Sequence, residues 1–248
     1  MTKQHNPRDA VKAVLDNPVL PDGDDERFAG FGVMGLPFES GHYLALRQFP
    51  AASFAPAYLS VWHRDPAGTW TFYATTPAEQ SCARYFSSAT DTDAVQCDID
   101  VTWISPWWFR VTIPGVLEWS VHTTTTAGSR MLNRIAARLP ESAWTNRTAL
   151  GLMGRVAGLT LGAGDVRLAG TAPNGQHFMV APRQVWAVSA SRAVLHGRDL
   201  GPIGPLTTQA RLADFRPPQT GVCVIGTGHF ENFDETVHAA AGVTALIG

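Results

Sequence analysis

Short runs in which apolar and polar residues alternate follow one another from Gly41 to about Thr126. Alternation with a period of two is typical of strands that bury one face. Turn signals separate the runs, including Pro114-Gly115 and the segment 64–68 with its Pro and Gly, and they predict reversals between antiparallel neighbours. The predicted strands are 42–49, 58–63, 69–75, 95–104, 107–113 and 116–123. This half of the chain is therefore expected to form a β meander.

The apolar spacing changes to a helical period between residues 128 and 161. One stripe includes Met131 and Ile135, a second includes Leu150 and Met153, and Pro140 separates them, which predicts a helical hairpin. Alternation then resumes, and the strands expected there are 165–171, 177–181, 184–189, 193–196 and 221–230. A short peripheral helix is expected near residues 9–15.

The order of these elements predicts a mainly β protein with two antiparallel β-barrel or half-barrel modules joined by a helical hairpin. The expected division is a peripheral segment (1–27), a first β module (28–127), a helical insert (128–162) and a second β module (163–248). The chain is 45% hydrophobic and 16% charged, with eight Trp and twelve Phe. Such enrichment in large rings suits either an aromatic-lined cavity or a well-filled core.

Charge and cysteine content exclude several classes of function. The net charge is −2 and no run of Lys or Arg occurs, so no nucleic-acid partner is expected. Neither a signal sequence nor an apolar run long enough to cross a bilayer is apparent, which favours a cytoplasmic protein without a membrane span. Cys82, Cys97 and Cys223 have no spacing typical of a disulfide framework or a zinc site.

Motifs for cofactors fail on their structural context. The segment 30–35 matches the glycine pattern of dinucleotide-binding sites, but Pro37 and Gly41 follow where a helix should begin. A glycine-rich connector or a lid at a cavity mouth is the preferred interpretation. The eight His show no metal-binding spacing, and no nucleophile elbow or phosphate-binding loop is present. We therefore expect neither a metal nor another cofactor.

Ionisable residues within otherwise apolar strands are the remaining candidates for chemistry. One strand face over residues 95–123 carries Asp98, Asp100, Arg110, Glu118 and His122. If that face meets solvent, these are cross-strand surface charges; if it lines a barrel, they are candidate acids and bases. His63 and Tyr73 flank a tight turn, and His229 lies near a strand end. The candidate catalytic set is Asp98, Asp100, His63, Tyr73, Glu118, His122 and His229.

Residues 30 to 235 have a β, helix, β layout and contain the segments Gly41-His42-Tyr43, Val61-Trp62-His63-Arg64-Asp65 and Trp70-Thr71-Phe72-Tyr73. In this layout and these segments the chain resembles the two-module lipocalin-like superfamily that includes carotenoid 1,2-hydratases. The resemblance implies a pair of calycin-type β modules. It also implies cofactor-free acid/base chemistry on terpenoid, polyene or polyketide substrates.

The leading hypothesis is a cofactor-free acid/base enzyme, a hydratase, dehydratase, isomerase or cyclase, that acts on a hydrophobic small molecule. Proton transfer beside an apolar ligand needs only one or two carboxyl, imidazole or phenol groups with shifted pKa values. A non-catalytic carrier or sensor with the same cavity is the main alternative. In a third interpretation the apolar stretches form an interaction surface, such as a homodimer interface.

Overall fold

The computed structural model describes residues 6–90, 94–240 and the backbone of 244–246. The helices are α1 (Pro7–Asp16), α2 (Ala83–Phe86), α3 (Ala127–Ala136) and α4 (Arg147–Leu161). The strands are β1 (Glu26–Pro37), β2 (Tyr43–Ala52), β3 (Tyr58–Arg64), β4 (Trp70–Ala74), β5 (Ala94–Gln96), β6 (Asp100–Ser105), β7 (Trp108–Ile113), β8 (Leu117–Thr124), β9 (Ala169–Thr171), β10 (His177–Leu195), β11 (Arg198–Asp199), β12 (Val222–Phe230) and β13 (Thr244–Leu246). The prediction of a mainly β protein is confirmed.

All described strands belong to one open, mixed sheet with the order β13-β5-β4-β3-β2-β1-β12-β10-β8-β7-β6, and β9 and β11 pair with β10. Strand β5 is parallel to β4 and β13, and the other pairs are antiparallel. The predicted meander is split, because β6 to β8 join β10 instead of continuing from β5. The described sheet does not close into a barrel, and the expected division into two barrel or half-barrel modules is not confirmed.

The sheet curls on itself. Strand β7 lies four positions from β1, which is about 19 Å in a flat sheet. The rings of Phe31 on β1 and Phe109 on β7 nevertheless meet edge to face, with centroids 6.0 Å apart. The concave side is filled by buried residues, and we call this cluster the concave core. Its members include Phe31, Val33, Leu44, Leu46, Val61, Tyr73, Phe109, Val111, Trp119, Val121, Trp186, Cys223 and Ile225, with Val11 of α1.

Alternate residues of the same strands point to the convex side, where they form what we call the convex layer: Phe28, Tyr43, Phe49, Tyr58, Trp62, Trp70, Phe72 and Phe230. Helix α2 and the segment 206–218 cover this layer, and Trp62 lies 4.7 Å from Phe86 and 5.8 Å from Phe215 between ring centroids. The Tyr43 hydroxyl donates to the Pro218 carbonyl over 2.6 Å, which holds the covering segment against the sheet.

Helices α3 and α4 cover the rest of the convex side and confirm the predicted helical hairpin. The Asn133 side chain exchanges two hydrogen bonds with the Val185 backbone, of 2.8 and 3.0 Å, and so fixes α3 on β10. Helix α4 approaches the chain that follows it through Gly154, where a Cβ would lie 2.4 Å from the Val166 carbonyl oxygen. The absence of a side chain at this position therefore lets α4 lie close to the segment that follows it.

Three details of the strand predictions are corrected. The run 95–104 is two strands, Ala94–Gln96 and Asp100–Ser105, and the runs 177–181, 184–189 and 193–196 form one strand, His177–Leu195, with register shifts between its parts. The glycine-rich segment 30–35 is neither a connector nor a lid, because it lies inside β1. This strand is buried on both faces, so it lacks the alternation by which strands are recognised.

Candidate functional site

A cavity of about 120 Å³ lies on the convex side, between the sheet and α4, α2 and the segment 206–218. Its walls are mainly aromatic and aliphatic; Phe28, Phe49, Trp62, Tyr85, Phe86, Phe178, Phe215, Phe230, Met34, Val180, Val185 and Val224 are among them. Gly30 and Gly32 of β1 and Gly226 of β12 contribute wall without a side chain. An apolar cavity of about 150 Å³ in another protein binds benzene, so this space suits about one aromatic ring.

Arg47 of β2 lines this cavity, although only 4% of its surface is exposed. The pairing of β1 with β2 is irregular between Val33 and Leu36. The Arg47 guanidinium satisfies carbonyls beside this irregularity: Nη1 donates to Val33 (2.7 Å) and to Leu46 (2.8 Å), and Nη2 donates to Met34 (3.2 Å).

The charge on Arg47 has no anionic partner among the described residues, since no carboxylate there lies within ion-pair distance of it. The guanidinium carbon is 4.6 Å from the centroid of the Trp62 ring, a cation–π contact. Burial lowers the pKa of Arg47, but a guanidinium stays protonated in proteins. A buried cation without a counter-ion carries an electrostatic cost, which an anionic ligand would reduce.

Three buried groups interact with the charge of Arg47: the thiol of Cys82 and the hydroxyls of Tyr43 and Tyr58. The Tyr58 hydroxyl is 3.4 Å from the Cys82 sulfur, and Cys82 lines the cavity. Burial raises the pKa of both the Tyr58 hydroxyl and the Cys82 thiol, so both are neutral at pH 7.

Three further polar side chains of the cavity wall, those of Tyr85, Arg167 and Arg216, already have partners. The Tyr85 hydroxyl donates to Glu26 over 2.7 Å, and Glu26 is also paired with Arg84. Arg167 is paired with Asp214 and Arg216 with Asp165, at 2.8 and 3.0 Å. Arg47 therefore differs from the other two arginines of the wall in having no acid beside it in the described part of the chain.

The seven candidates from the sequence do not line this cavity. His63 and Tyr73 alternate with Trp62 and Phe72 of the convex layer, so they lie on the opposite, concave side of the sheet. His229 alternates with Gly228 and Phe230 in the same way. Burial lowers the pKa of His229, and the charge of Asp25 acts in the opposite direction. Their catalytic role stays a prediction that this cavity does not support.

Asp98, Asp100 and Glu118 are exposed, which matches the alternative of surface charges. The Thr102 hydroxyl donates to Asp100 over 2.5 Å. His122 is partly exposed and stacks on Trp108, with centroids 4.9 Å apart. These four residues are not brought together with the cavity.

A histidine pair lies at the edge of the concave core. His42 Nδ1 and His63 Nε2 are 2.9 Å apart, and the rings stack. One ring must donate and the other accept, so the two rings cannot both be protonated. Burial, followed by the neighbouring His42, lowers the pKa of His63 to about 4, while Asp65 acts in the opposite direction.

Sequence reasoning missed Arg47 and Cys82. A signal for Arg47 was present, since Tyr43, Ala45, Arg47 and Phe49 share one strand face and the arginine is the polar member of an otherwise apolar set. No comparable signal marks Cys82, whose place in the cavity depends on the packing of a short helix onto the sheet.

Within residues 6–90 and 94–240, no group of three or more His, Cys, Asp or Glu side chains is arranged to hold a metal ion. In the same part of the chain, none of the helices combines the length and the apolar character needed to cross a membrane.

Comparison with known proteins defines no family for this chain. No family model matches it, and no curated protein matches its sequence.

Among solved structures, an acetoacetate decarboxylase from Legionella pneumophila subsp. pneumophila str. Philadelphia 1 is similar over 94% of this chain and 95% of its own, with 11% identity and a TM-score of 0.41. A second structure, from structural studies of acetoacetate decarboxylase, is 8% identical over 98% and 96% of the two chains, also with a TM-score of 0.41. Because no family model and no curated protein matches, the expected lipocalin-like family is not supported. The fold and the cavity define a mainly β protein with an aromatic pocket.

Proposed function

We propose that this protein binds a small apolar molecule, about one aromatic ring in size and carrying one carboxylate, in the convex cavity. The single observation that carries the proposal is Arg47, a buried cation without a counter-ion in the wall of an aromatic cavity. Rings such as Phe178 and Phe215 would contact the apolar body of the ligand, and the guanidinium would hold its charge.

The hydrogen bonds of Arg47 leave room for such a ligand. A guanidinium has five N–H donors, and three of them reach the carbonyls of Val33, Leu46 and Met34. The two remaining donors suffice for a bidentate carboxylate, the arrangement in which arginine binds this group most strongly.

Binding is better supported than acid/base catalysis. A catalytic cavity would present at least two groups able to transfer protons, and no His, Asp or Glu is among the residues that line this one. A carrier or sensor is therefore our first proposal, and a ligand of about one ring replaces the terpenoid or polyene expected from the resemblance.

A second candidate is an enzyme that transfers a proton through the Tyr58 and Cys82 pair. Its support is the position of that pair beside the guanidinium, which would hold an anionic substrate next to the thiol. The substrate would again be a small aromatic or branched acid. Incubation of candidate acids with wild-type protein and with Cys82→Ser, followed by mass spectrometry, separates the two proposals, because only the enzyme would release a product that the variant does not.

The binding experiment uses calorimetric titration with benzoate and with benzyl alcohol, which has a similar size but no charge. Wild-type protein should bind benzoate at least about tenfold more tightly, because a charge-assisted hydrogen bond is stronger than a neutral one. Arg47→Met should abolish this preference, while Arg47→Lys should keep part of it.

The matched control is Arg167→Met, which removes an arginine of the same wall that already has an acid partner. It should leave the preference for benzoate unchanged. Equal affinities of the wild-type protein for the charged and neutral probes would contradict the anionic ligand. Circular dichroism of each variant establishes that a loss of binding is not a loss of fold.

A further inference from the structure

The outer surface of the helical hairpin concentrates exposed apolar side chains. Of the nine large apolar residues exposed in the described part of the chain, five lie on α3 and α4. They are Leu159 (87% exposed), Leu152 (64%), Met131 (44%), Ile135 (42%) and Val156 (36%), and we call them the hairpin patch. Such concentration indicates contact with something other than water.

The spacing of these residues makes continuous stripes. Leu152, Val156 and Leu159 are four and three residues apart on α4, so they lie on one face of the helix. Met131 and Ile135 have the same relation on α3. Both helices pack on β10, and their exposed faces therefore point away from the same side of the sheet.

The charge of the hairpin is opposite in sign to that of the whole chain. Between residues 127 and 161 there are five arginines and one acid, Glu141, a local charge of +4 against −2 for the chain. The arginines are Arg130, Arg134, Arg138, Arg147 and Arg155, all exposed. In the described residues none of them forms an ion pair, whereas Glu141 is paired with Arg183 outside the hairpin.

The arginines stand among the apolar residues rather than on a separate face. Arg155 follows Leu152 by three residues and precedes Leu159 by four, so it is a surface neighbour of both. Arg134 follows Met131 by three residues in the same way. Apolar side chains with guanidinium groups at their sides fit the boundary between acyl chains and anionic headgroups.

We propose that the hairpin patch docks on the surface of a bilayer that contains anionic lipid. A second copy of this chain is a poorer occupant, because it would bring two sets of five unpaired arginines together. The inner side of α4 contributes Ala157 and Leu161 to the cavity wall, so a docked helix would lie directly between lipid and cavity. The docking itself does not depend on the proposed ligand.

The test is co-sedimentation of the full-length protein with vesicles of phosphatidylcholine alone, or of phosphatidylcholine with about 30 mol% phosphatidylserine. Each is measured at low and at high salt. Binding should require phosphatidylserine and weaken with salt. Arg134→Glu with Arg155→Glu should reduce partitioning by more than about 25-fold, since each cation near such a surface contributes about fivefold. Leu152→Ser with Leu159→Ser should reduce it at least about tenfold at constant charge.

Matched controls change equally exposed positions elsewhere: Arg110→Glu, and Val19→Ser with Val237→Ser, whose valines are 67% and 68% exposed. They should bind vesicles like the wild-type protein. Equal binding to both lipid compositions, or no effect of either hairpin variant, would overturn the proposal. The proposal would also be overturned if the protein bound no vesicles and formed a dimer in sedimentation equilibrium that Leu152→Ser with Leu159→Ser dissociates. Circular dichroism confirms that each variant is folded.

Discussion

The two faces of the sheet are built from alternate residues of the same strands, yet one is filled and the other contains a cavity. The concave core combines aliphatic residues with a few rings, and its members Val33, Val111 and Phe109 are fully buried. The convex layer combines many large rings with glycines such as Gly30 and Gly32. Large rigid rings leave more space between them than small aliphatic side chains do, so this composition favours a void on the convex side.

The two faces also hold different kinds of polar group. The edge of the concave core carries His42 and His63, whose pKa values are lowered by burial and which acid would charge. The convex layer carries Arg47, whose charge does not change with pH. The concave side should therefore determine how stability responds to acid, and the convex side should determine which ligand is bound.

The largest expected effect tests whether the concave core is filled. Phe109→Ala should lower the free energy of unfolding by about 4 kcal/mol, because it removes a fully buried ring that contacts Phe31 and Trp103. Denaturant unfolding measures this loss. Ile104→Ala, at a position that is 45% exposed, is the control and should cost less than about 1 kcal/mol. A loss below about 2 kcal/mol for Phe109→Ala would show that the concave side already contains empty space.

The next largest effect is the dependence of the free energy of unfolding on pH. The folded pKa of His63, about 4, lies below the ordinary value of 6.5, so between these values the unfolded chain binds the proton more readily. The stability that neutral His63 contributes is therefore present above pH 6.5 and is lost as the pH falls towards 4. The total loss from this group should be about 3 kcal/mol.

Denaturant unfolding at pH 7 and pH 4.5 measures this dependence. Because burial also lowers the pKa values of His42 and His229, the informative quantity is the difference between the wild-type protein and His63→Gln. The variant should lose about 2 kcal/mol less than the wild type between the two pH values. If both proteins lost the same unfolding free energy between pH 7 and pH 4.5, His63 would not cause the acid sensitivity. The concave side could then not be assigned this role.

Features of this structure that depend on residues close in sequence could be predicted, and features that depend on contacts between distant segments could not. Strands with a single buried face were recognised because alternation is local, as for Leu117–Thr124. Strand β1 was missed because both of its faces are covered, and glycines replace the expected apolar residues. The split meander could not be predicted, because no local signal shows that β6 departs from β5 to join the far edge of the sheet.

The candidate site shows the same limit at single residues. Alternation indicates that Trp62 and His63 face opposite sides, but not which side holds the cavity. That depends on rings contributed by α2 and by the segment 206–218, which are distant in sequence. The polar residues were therefore assigned to an interior that the structure fills with apolar groups. Arg47 was the polar residue that could have been identified, because its strand face is otherwise apolar.

The smallest effect is the sharpest comparison of the two faces, because it removes the same two methyl groups from each. Val111→Ala acts in the concave core, where the valine is fully buried, and should cost about 2 kcal/mol. Val224→Ala acts beside the cavity, where the methyls already border empty space and make fewer contacts, and should cost about 1 kcal/mol. Val224→Ala should also admit a larger probe than benzoate, such as 4-methylbenzoate, which Val111→Ala should not. Equal losses of stability with unchanged probe affinities would mean that the convex cavity is closed by packing in solution, and the ligand proposed for Arg47 would then have no space to occupy.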